Sequence, residues 1–282
     1  MNKYIELLRI RQWYKNVVVF LPIVFVGRLF NAPELVLTLL GFFALCLASS
    51  SSYIINDIID READRKNPEK RMRPLASGTI GVPSAAVAAA LILAAALVLS
   101  WAISMLFAAF VLALFALTFL YSIWLKNEVF ADVLVIAVNF VIRAVSGVFI
   151  ISATISPWLI LCTFFLSLFL SAGKRFSELS FLAEKAKTHR KVLGAYSPSI
   201  TSALLIISTS LLVMSYSLYS FISIYPYLIF TLPLALYLAF RYLYLIYTGS
   251  EIARHTERAY KDKGLMAGLA LLLAAVFILI YA

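Results

Sequence analysis

The chain reads Asn56-Asp57-Ile58-Ile59-Asp60-Arg61-Glu62-Ala63-Asp64 at the end of a long apolar run. Aspartates beside a membrane span are energetically costly, so their presence there indicates a function. Residues four apart lie near one another on a helix, and this spacing groups Asn56, Asp60 and Asp64. Their oxygens suit Mg²⁺, which takes its remaining ligands from waters and substrate phosphates. The stretch predicts a metal–diphosphate site at a membrane surface, with these three residues as ligands and Asp57 beside them.

The composition around this stretch is that of a membrane protein. The 282 residues are 63% hydrophobic and 13% charged, whereas a soluble domain is about 45–50% apolar. Nine apolar segments approach the roughly 20 residues that a bilayer requires. They are Trp13–Leu29, Leu35–Ile55, Pro83–Trp101, Met105–Leu125, Val129–Ile151, Pro157–Ala172, Ser199–Phe221, Tyr225–Tyr247 and Leu265–Ala282. We predict an all-α, polytopic membrane protein with nine transmembrane helices in one domain over residues 1–282.

The positive charges are concentrated in particular loops. The formal net charge is +10, and Lys and Arg crowd the N-terminus and the loops after the second, fourth, sixth and eighth segments. The positive-inside rule then places the N-terminus and these loops in the cytoplasm of a cell-membrane protein, and the C-terminus outside. We assign this charge to membrane and phosphate partners, and we expect no nucleic-acid partner.

Several basic and aromatic residues are candidates for binding phosphate. Arg71 and Arg73 follow the acid motif and can make forked contacts to phosphate oxygens; the alternative is a solvated loop held by salt bridges. Lys15 lies just inside the first segment, where phosphate contact competes with snorkelling to the membrane surface. Tyr121 and Lys126 flank the end of the fourth segment, although interfacial tyrosines are common.

The fifth segment carries a polar stripe. Asp132, Asn139, Arg143 and Ser146 are separated by seven, four and three residues, which aligns them on one helical face. A charge as deep in a span as Arg143 costs about 2.5–3.5 kcal/mol on insertion scales. Arg143 is therefore expected to meet an anion, which is either a substrate phosphate or a carboxylate that locks two helices together.

The motif Asn-Asp-x-x-Asp-x-x-x-Asp, followed by Arg-x-Arg-Pro-Leu at residues 71–75, resembles the UbiA superfamily of intramembrane prenyltransferases. The similarity covers essentially the whole chain. It implies a UbiA-like bundle of nine helices around a central cavity. It also implies that the acid motif binds Mg²⁺ and a diphosphate, with Asn56, Asp60 and Asp64 at the metal and with Asp57 and Arg73 close by.

A second motif departs from the family pattern. Most members carry Asp-x-x-x-Asp after the sixth span, whereas this chain has Lys174-Arg175-x-x-Glu178. This change and the N-terminal run of residues 8–16 are similar to the decaprenyl-phosphate phosphoribosyltransferase branch. A reaction with three phosphate groups needs many cations, and the candidates are Lys15, Arg71, Arg73, Lys126, Arg143, Lys174, Arg175, Arg190 and Lys191.

The resemblance implies transfer of phosphoribose from phosphoribosyl diphosphate to a polyprenyl phosphate, with release of pyrophosphate at the cytoplasmic face. Asp60 and Asp64, helped by Asn56, are expected to be catalytic through Mg²⁺. Two alternatives stay open: prenyl transfer from a prenyl diphosphate to an aromatic or lipid acceptor, and a transporter or channel. The prenyl chain length and a homo-oligomeric state are also left open.

Overall fold

The computed structural model describes residues 3–68, 70–182 and 191–282, and these residues form helices without a strand. The α-helices are α1 Lys3–Leu7, α2 Leu21–Phe25, α3 Ala32–Ile59, α4 Arg61–Lys66, α5 Val82–Ile103, α6 Met105–Ile123, α7 Ala131–Ile150, α8 Pro157–Leu182, α9 Pro198–Ile222, α10 Leu232–Tyr247, α11 Glu251–Arg254 and α12 Lys263–Tyr281. Short 3₁₀ helices are Ile10–Phe20, Leu125–Asn127, Lys191–Gly194, Pro226–Thr231 and Thr256–Lys261. The prediction of an all-α membrane protein is confirmed.

Within the described ranges, eight helical segments are long and apolar enough to cross a membrane. The predicted first span, Trp13–Leu29, is not among them, so the count of nine is not confirmed. That stretch forms an 11-residue 3₁₀ helix followed by the five-residue helix α2. Three consecutive valines from Val17 disfavour a regular α-helix, and Pro22 stands in the first turn of α2, where proline is tolerated.

Helix boundaries follow from local capping. The Asn31 side chain accepts a hydrogen bond from the amide of Glu34 at the start of α3. Ser197 and Asp262 cap α9 and α12 in the same way. Each side chain satisfies an amide that the first helical turn leaves without a partner. One extended residue, Ser104, separates α5 from α6.

The described residues group into two compact units. The first contains residues 1–126 and 139–155, and the second contains residues 127–138 and 156–282. The core of the first unit includes Val19, Leu45, Phe107 and Val111, and that of the second includes Phe169. The prediction of one domain over the whole chain stays a prediction.

Small residues let helices of the first unit approach closely. A Cβ at Gly147 would lie 2.2 Å from the backbone oxygen of Val19, so α7 packs against the 3₁₀ helix without an intervening side chain. Ser51 donates a hydrogen bond to the carbonyl of Ala89 at 2.8 Å and links α3 to α5. Close packing and interhelical hydrogen bonds are the forces that hold helices together in a membrane.

Candidate active site

The acid motif lies where α3 ends and α4 begins. Asp60 separates the two helices with φ −88° and ψ 3°. The amides of Asp60 and Asp64 nevertheless donate to the carbonyls four residues earlier, at 2.9 and 2.8 Å. The helical path therefore continues through the motif, and residues spaced by whole turns remain on one side of it.

Two nearly buried carboxylates of the motif converge on one arginine. The Nη1 atom of Arg73 lies 3.1 Å from Oδ1 of Asp57 and 2.6 Å from Oδ2 of Asp64. Arg9 also donates to Asp57, and Nζ of Lys70 lies 3.8 Å from Asp64. Asp57 is 4% exposed and Asp64 3% exposed, so these basic side chains balance charges that water screens little.

Asp60 binds a different cation. Its carboxylate pairs with the ammonium of Lys126. The four-residue spacing had suggested that Asp60 and Asp64 act together, but they share no cation among the described residues. The acid that does share a cation with Asp64 is Asp57, because seven residues correspond to two helical turns. Asn56 is half-buried, and its role as a metal ligand stays a prediction.

The motif fits a magnesium ion with few protein ligands. In the described ranges, no group of three or more His, Cys, Asp or Glu side chains is arranged to hold a metal. Mg²⁺ usually takes only one or two carboxylates and completes its shell with waters and phosphates. Asp57 and Asp64 already place two carboxylates on a single cationic group, so their donor set agrees with that requirement.

Arg143 is buried in α7 and pairs with amides instead of an acid. Its Nε donates to Oδ1 of Asn16 at 2.9 Å and its Nη1 to the carbonyl of Asn139 at 3.1 Å. Arg143 is 7% exposed, and it has no carboxylate partner in the part of the chain that the structure describes. The alternative in which Arg143 locks two helices through an aspartate is therefore wrong for those residues.

Tyr53 lies one turn before Asp57 and is surrounded by cations. It is hydrogen-bonded to Lys15 and lies within electrostatic reach of Arg9 and Arg143. The guanidinium of Arg9 is 5.2 Å from the centre of the Tyr53 ring. Lys15 is half-buried, and the choice between phosphate contact and snorkelling stays a prediction.

The sequence prediction omitted three residues of this region: Arg9, Asn16 and Tyr53. A usable signal existed for Tyr53, because it precedes Asp57 by four residues and shares its helical face. Asn16 is a fully buried amide within an apolar stretch, and such a residue needs a hydrogen-bond partner. Its position in sequence gave no indication that the partner would be Arg143.

The second motif forms a buried ionic cluster in the second compact unit. Nε of Arg175 lies 2.7 Å from Oδ2 of Asp132, and Arg175 also pairs with Glu178. The hydroxyl of Tyr196 donates to Oδ1 of Asp132 at 2.6 Å and accepts the amide of Phe130 at 2.9 Å. Burial, together with the hydrogen bond to Asp132, raises the pKa of the Tyr196 phenol. The sequence predicted Arg175 as a phosphate ligand, but its charge is held by two carboxylates.

The remaining predicted residues lie on several different elements. Arg71 and Lys174 are exposed, and Tyr121 is half-buried in the last turn of α6. Asn139 is buried and accepts from Thr118 at 3.4 Å. Arg190 lies outside the described residues, as does the side chain of Lys191.

Comparisons with known proteins agree with the motif analysis. Residues 18–259 match the UbiA prenyltransferase family. A decaprenyl-phosphate phosphoribosyltransferase of Mycolicibacterium smegmatis is 34% identical over 221 residues, which cover 77% of this chain and 70% of the relative. The enzyme of the same name from Corynebacterium glutamicum is 31% identical, over 77% of this chain and 67% of the relative.

A solved structure shows the same fold. The UbiA homologue of Archaeoglobus fulgidus, bound to GPP and Mg²⁺, covers 99% of both chains with a TM-score of 0.72 at 23% identity. The resemblance read from the two motifs is confirmed. The chain belongs to the UbiA prenyltransferase family.

Proposed function

We propose that this protein transfers phosphoribose from phosphoribosyl diphosphate to a polyprenyl phosphate and releases pyrophosphate. The observation that carries the proposal is the 34% identity, over 77% of the chain, to a decaprenyl-phosphate phosphoribosyltransferase. Exposed Lys174 supports it, because the resemblance implies an acid at this position in most family members, whereas the charge of Arg175 is held by Asp132 and Glu178. A donor and an acceptor that together carry several phosphates favour such a site over one with two acidic clusters.

The protein is a multi-pass membrane protein, and we propose that its acid motif faces the cytoplasm. If successive spans alternate in direction, the connections after α3, α6, α8 and α10 lie on one side. These connections carry most of the Lys and Arg residues outside the N-terminus, and such loops stay cytoplasmic. The soluble donor is then available where the acid motif lies.

Asp57, Asp60 and Asp64, with Asn56, would hold Mg²⁺ at the donor diphosphate. When bound, the metal neutralises charge that develops on the departing pyrophosphate. Arg73 spans Asp57 and Asp64, and exposed Arg71 lies two residues before it. Guanidinium groups in these positions orient phosphate oxygens by forked hydrogen bonds, so the reaction depends on positioning and on charge.

The acceptor requires no dedicated base. A phosphate monoester has a second pKa of about 6, so most acceptor molecules are already dianions at neutral pH. Of the two histidines of the chain, His189 lies outside the described residues and His255 lies outside the membrane-spanning segments. As the bond from C1 of the ribose to the diphosphate breaks, an acceptor phosphate oxygen bonds to C1, and the diphosphate leaves with the electron pair.

The two donor classes distinguish this proposal from ordinary prenyl transfer. Purified protein in lipid nanodiscs receives Mg²⁺, a polyprenyl phosphate and either labelled phosphoribosyl diphosphate or labelled prenyl diphosphate. We expect label from phosphoribosyl diphosphate to enter the lipid fraction, with an equal amount of pyrophosphate released. Label entering an aromatic or lipid acceptor only from the prenyl donor would refute the proposal.

A further inference from the structure

Three basic side chains and a tyrosine form a group next to the acid motif. This cationic cluster consists of Arg9, Lys15, Tyr53 and Arg143, all in the first compact unit. Neither Lys15 nor Arg143 forms a salt bridge to an acid among the residues that the structure describes. The carboxylate that touches the cluster is Asp57, through Arg9, and Asp57 is also bound by Arg73.

An uncompensated buried cation is expensive, and the surroundings of Arg143 compensate it only with dipoles. Its described acceptors are the amide oxygen of Asn16 and the carbonyl of Asn139, and its guanidinium lies 5.3 Å from the centre of the Phe140 ring. Intramembrane charges normally pair with another charge or line a pathway for substrates or ions. Among the residues that the structure describes, the cluster's one carboxylate contact is Asp57, which Arg73 also binds, so these residues leave positive charge in the cluster unbalanced.

The backbone contributes to this arrangement. Arg9 has φ 50° and ψ 45°, a left-handed conformation that is uncommon for residues other than glycine. In this position its guanidinium reaches both the carboxylate of Asp57 and the ring of Tyr53. Arg9 thus connects the acid motif to the cationic cluster, and local strain of this kind is often retained at functional sites.

We infer that the cationic cluster binds the phosphate of the lipid acceptor, with Lys15 and Tyr53 as direct ligands and Arg143 as the buried charge beneath them. This inference rests on the proposed function. It assigns the acceptor phosphate to the cationic cluster and the donor diphosphate to the acid motif. A phosphate without a metal is repelled by the carboxylates of Asp57 and Asp64, so it needs a separate site of positive charge. The contact of Arg9 with both groups keeps that site beside the donor.

Membrane depth also favours a lipid phosphate at the cluster. Tyr53 and Arg143 lie within segments that can span the bilayer, whereas a fully water-soluble ligand would have to leave its hydration there. A polyprenyl chain already lies in the bilayer, and its phosphate needs only to meet the cluster near the end of α3.

The test measures binding of geranylgeranyl phosphate and of geranylgeraniol to the protein in nanodiscs, together with the KM for phosphoribosyl diphosphate. Lys15→Gln removes one ligand charge, and Tyr53→Phe removes only a hydroxyl. Arg28→Gln removes the same charge from an exposed pair with Glu34 and serves as the control. Arg143 is left unchanged because its burial makes misfolding of a variant hard to separate from lost binding.

We expect the Kd for geranylgeranyl phosphate to rise about tenfold or more in Lys15→Gln and roughly fivefold in Tyr53→Phe. Geranylgeraniol binding, the KM for phosphoribosyl diphosphate and the Arg28→Gln control should stay within about twofold of the unmodified protein. A raised donor KM with an unchanged Kd for the lipid phosphate would overturn the inference. If the unmodified protein makes no labelled lipid from phosphoribosyl diphosphate and lipid-phosphate binding still depends on Lys15, the proposed function alone fails.

Discussion

The pairing of Arg175 with Asp132 allows a test that separates a structural role from substrate binding. Asp132 is 0% exposed and Arg175 3% exposed, and their atoms are 2.7 Å apart. Removal of one partner from a buried pair leaves an uncompensated charge and typically costs about 3–5 kcal/mol. Arg175→Met is therefore expected to destabilise the protein strongly, because the buried carboxylate of Asp132 loses its cationic partner Arg175.

The loss of stability can be measured as a fall in melting temperature. At roughly 2–4 °C per kcal/mol for a chain of this size, Arg175→Met should lower the melting temperature of the detergent-solubilised protein by the order of 10 °C. Asp132→Asn should have an effect of similar size. The double variant Asp132→Asn/Arg175→Met should recover a large part of the loss, since the fully buried charge of Asp132 is then removed too and the other carboxylate that loses Arg175, Glu178, is 20% exposed.

The measurement is thermal unfolding followed by size-exclusion chromatography, on the two single variants, the double variant and Lys174→Ala. Lys174 is the neighbouring basic residue and is exposed, so Lys174→Ala should melt within a few degrees of the unmodified protein. The Arg175→Met protein could instead keep its melting temperature and show only a higher KM for a phosphate substrate. Arg175 would then bind substrate and would not stabilise the fold.

Further predictions concern the acid motif, the second motif and a helix cap. Asp64→Asn should lower turnover about a hundredfold or more while the folded fraction in size-exclusion chromatography stays normal; near-normal turnover would remove Asp64 from the metal site. Lys174→Ala should raise the KM for one of the phosphate substrates and sharpen its salt dependence, and an unchanged KM for both substrates would exclude that role. Asp262→Ala should destabilise by about 1 kcal/mol through loss of the α12 cap, and Asp262→Asn, which keeps a cap acceptor, should lose less in the same melting assay. Hydrogen bonds from Arg241 lower the pKa of Asp262, so the stability it contributes should be complete above about pH 4 and be lost as the pH falls further; an Asp262→Asn variant with an unchanged acid-unfolding profile would contradict this.

Hydropathy predicted the fold class, because a bilayer-spanning helix needs a long apolar run and leaves a strong signal. The N-terminal segment Trp13–Leu29 was apolar enough to be counted as a span, but Asn16, a valine run and Pro22 divide it into a 3₁₀ helix and a short α-helix. Local backbone preferences of this kind do not appear in a hydropathy average.

Helical spacing predicted that carboxylates of the acid motif lie close together, but not which of them share a cation. The spacing of the acid motif allows Asp64 to share a cation with either Asp60 or Asp57. The position of Arg73 in the folded protein decides between these two pairings. The partners of Arg143 and Arg175 also come from distant parts of the chain: Asn16 is 127 residues from Arg143, and Asp132 is 43 residues from Arg175. Such pairs depend on tertiary packing, which periodicity along one helix does not encode.

The most direct test of the central claim is the mass of the lipid product. Purified protein in nanodiscs is incubated with Mg²⁺, phosphoribosyl diphosphate and a polyprenyl phosphate of defined length, and the lipid extract is analysed by mass spectrometry, with Asp64→Asn as the matched control. We expect a lipid heavier than the acceptor by one phosphoribosyl group, formed by the unmodified protein and nearly absent with Asp64→Asn. Recovery of the acceptor unchanged by a folded, magnesium-supplied protein would contradict the proposed transfer.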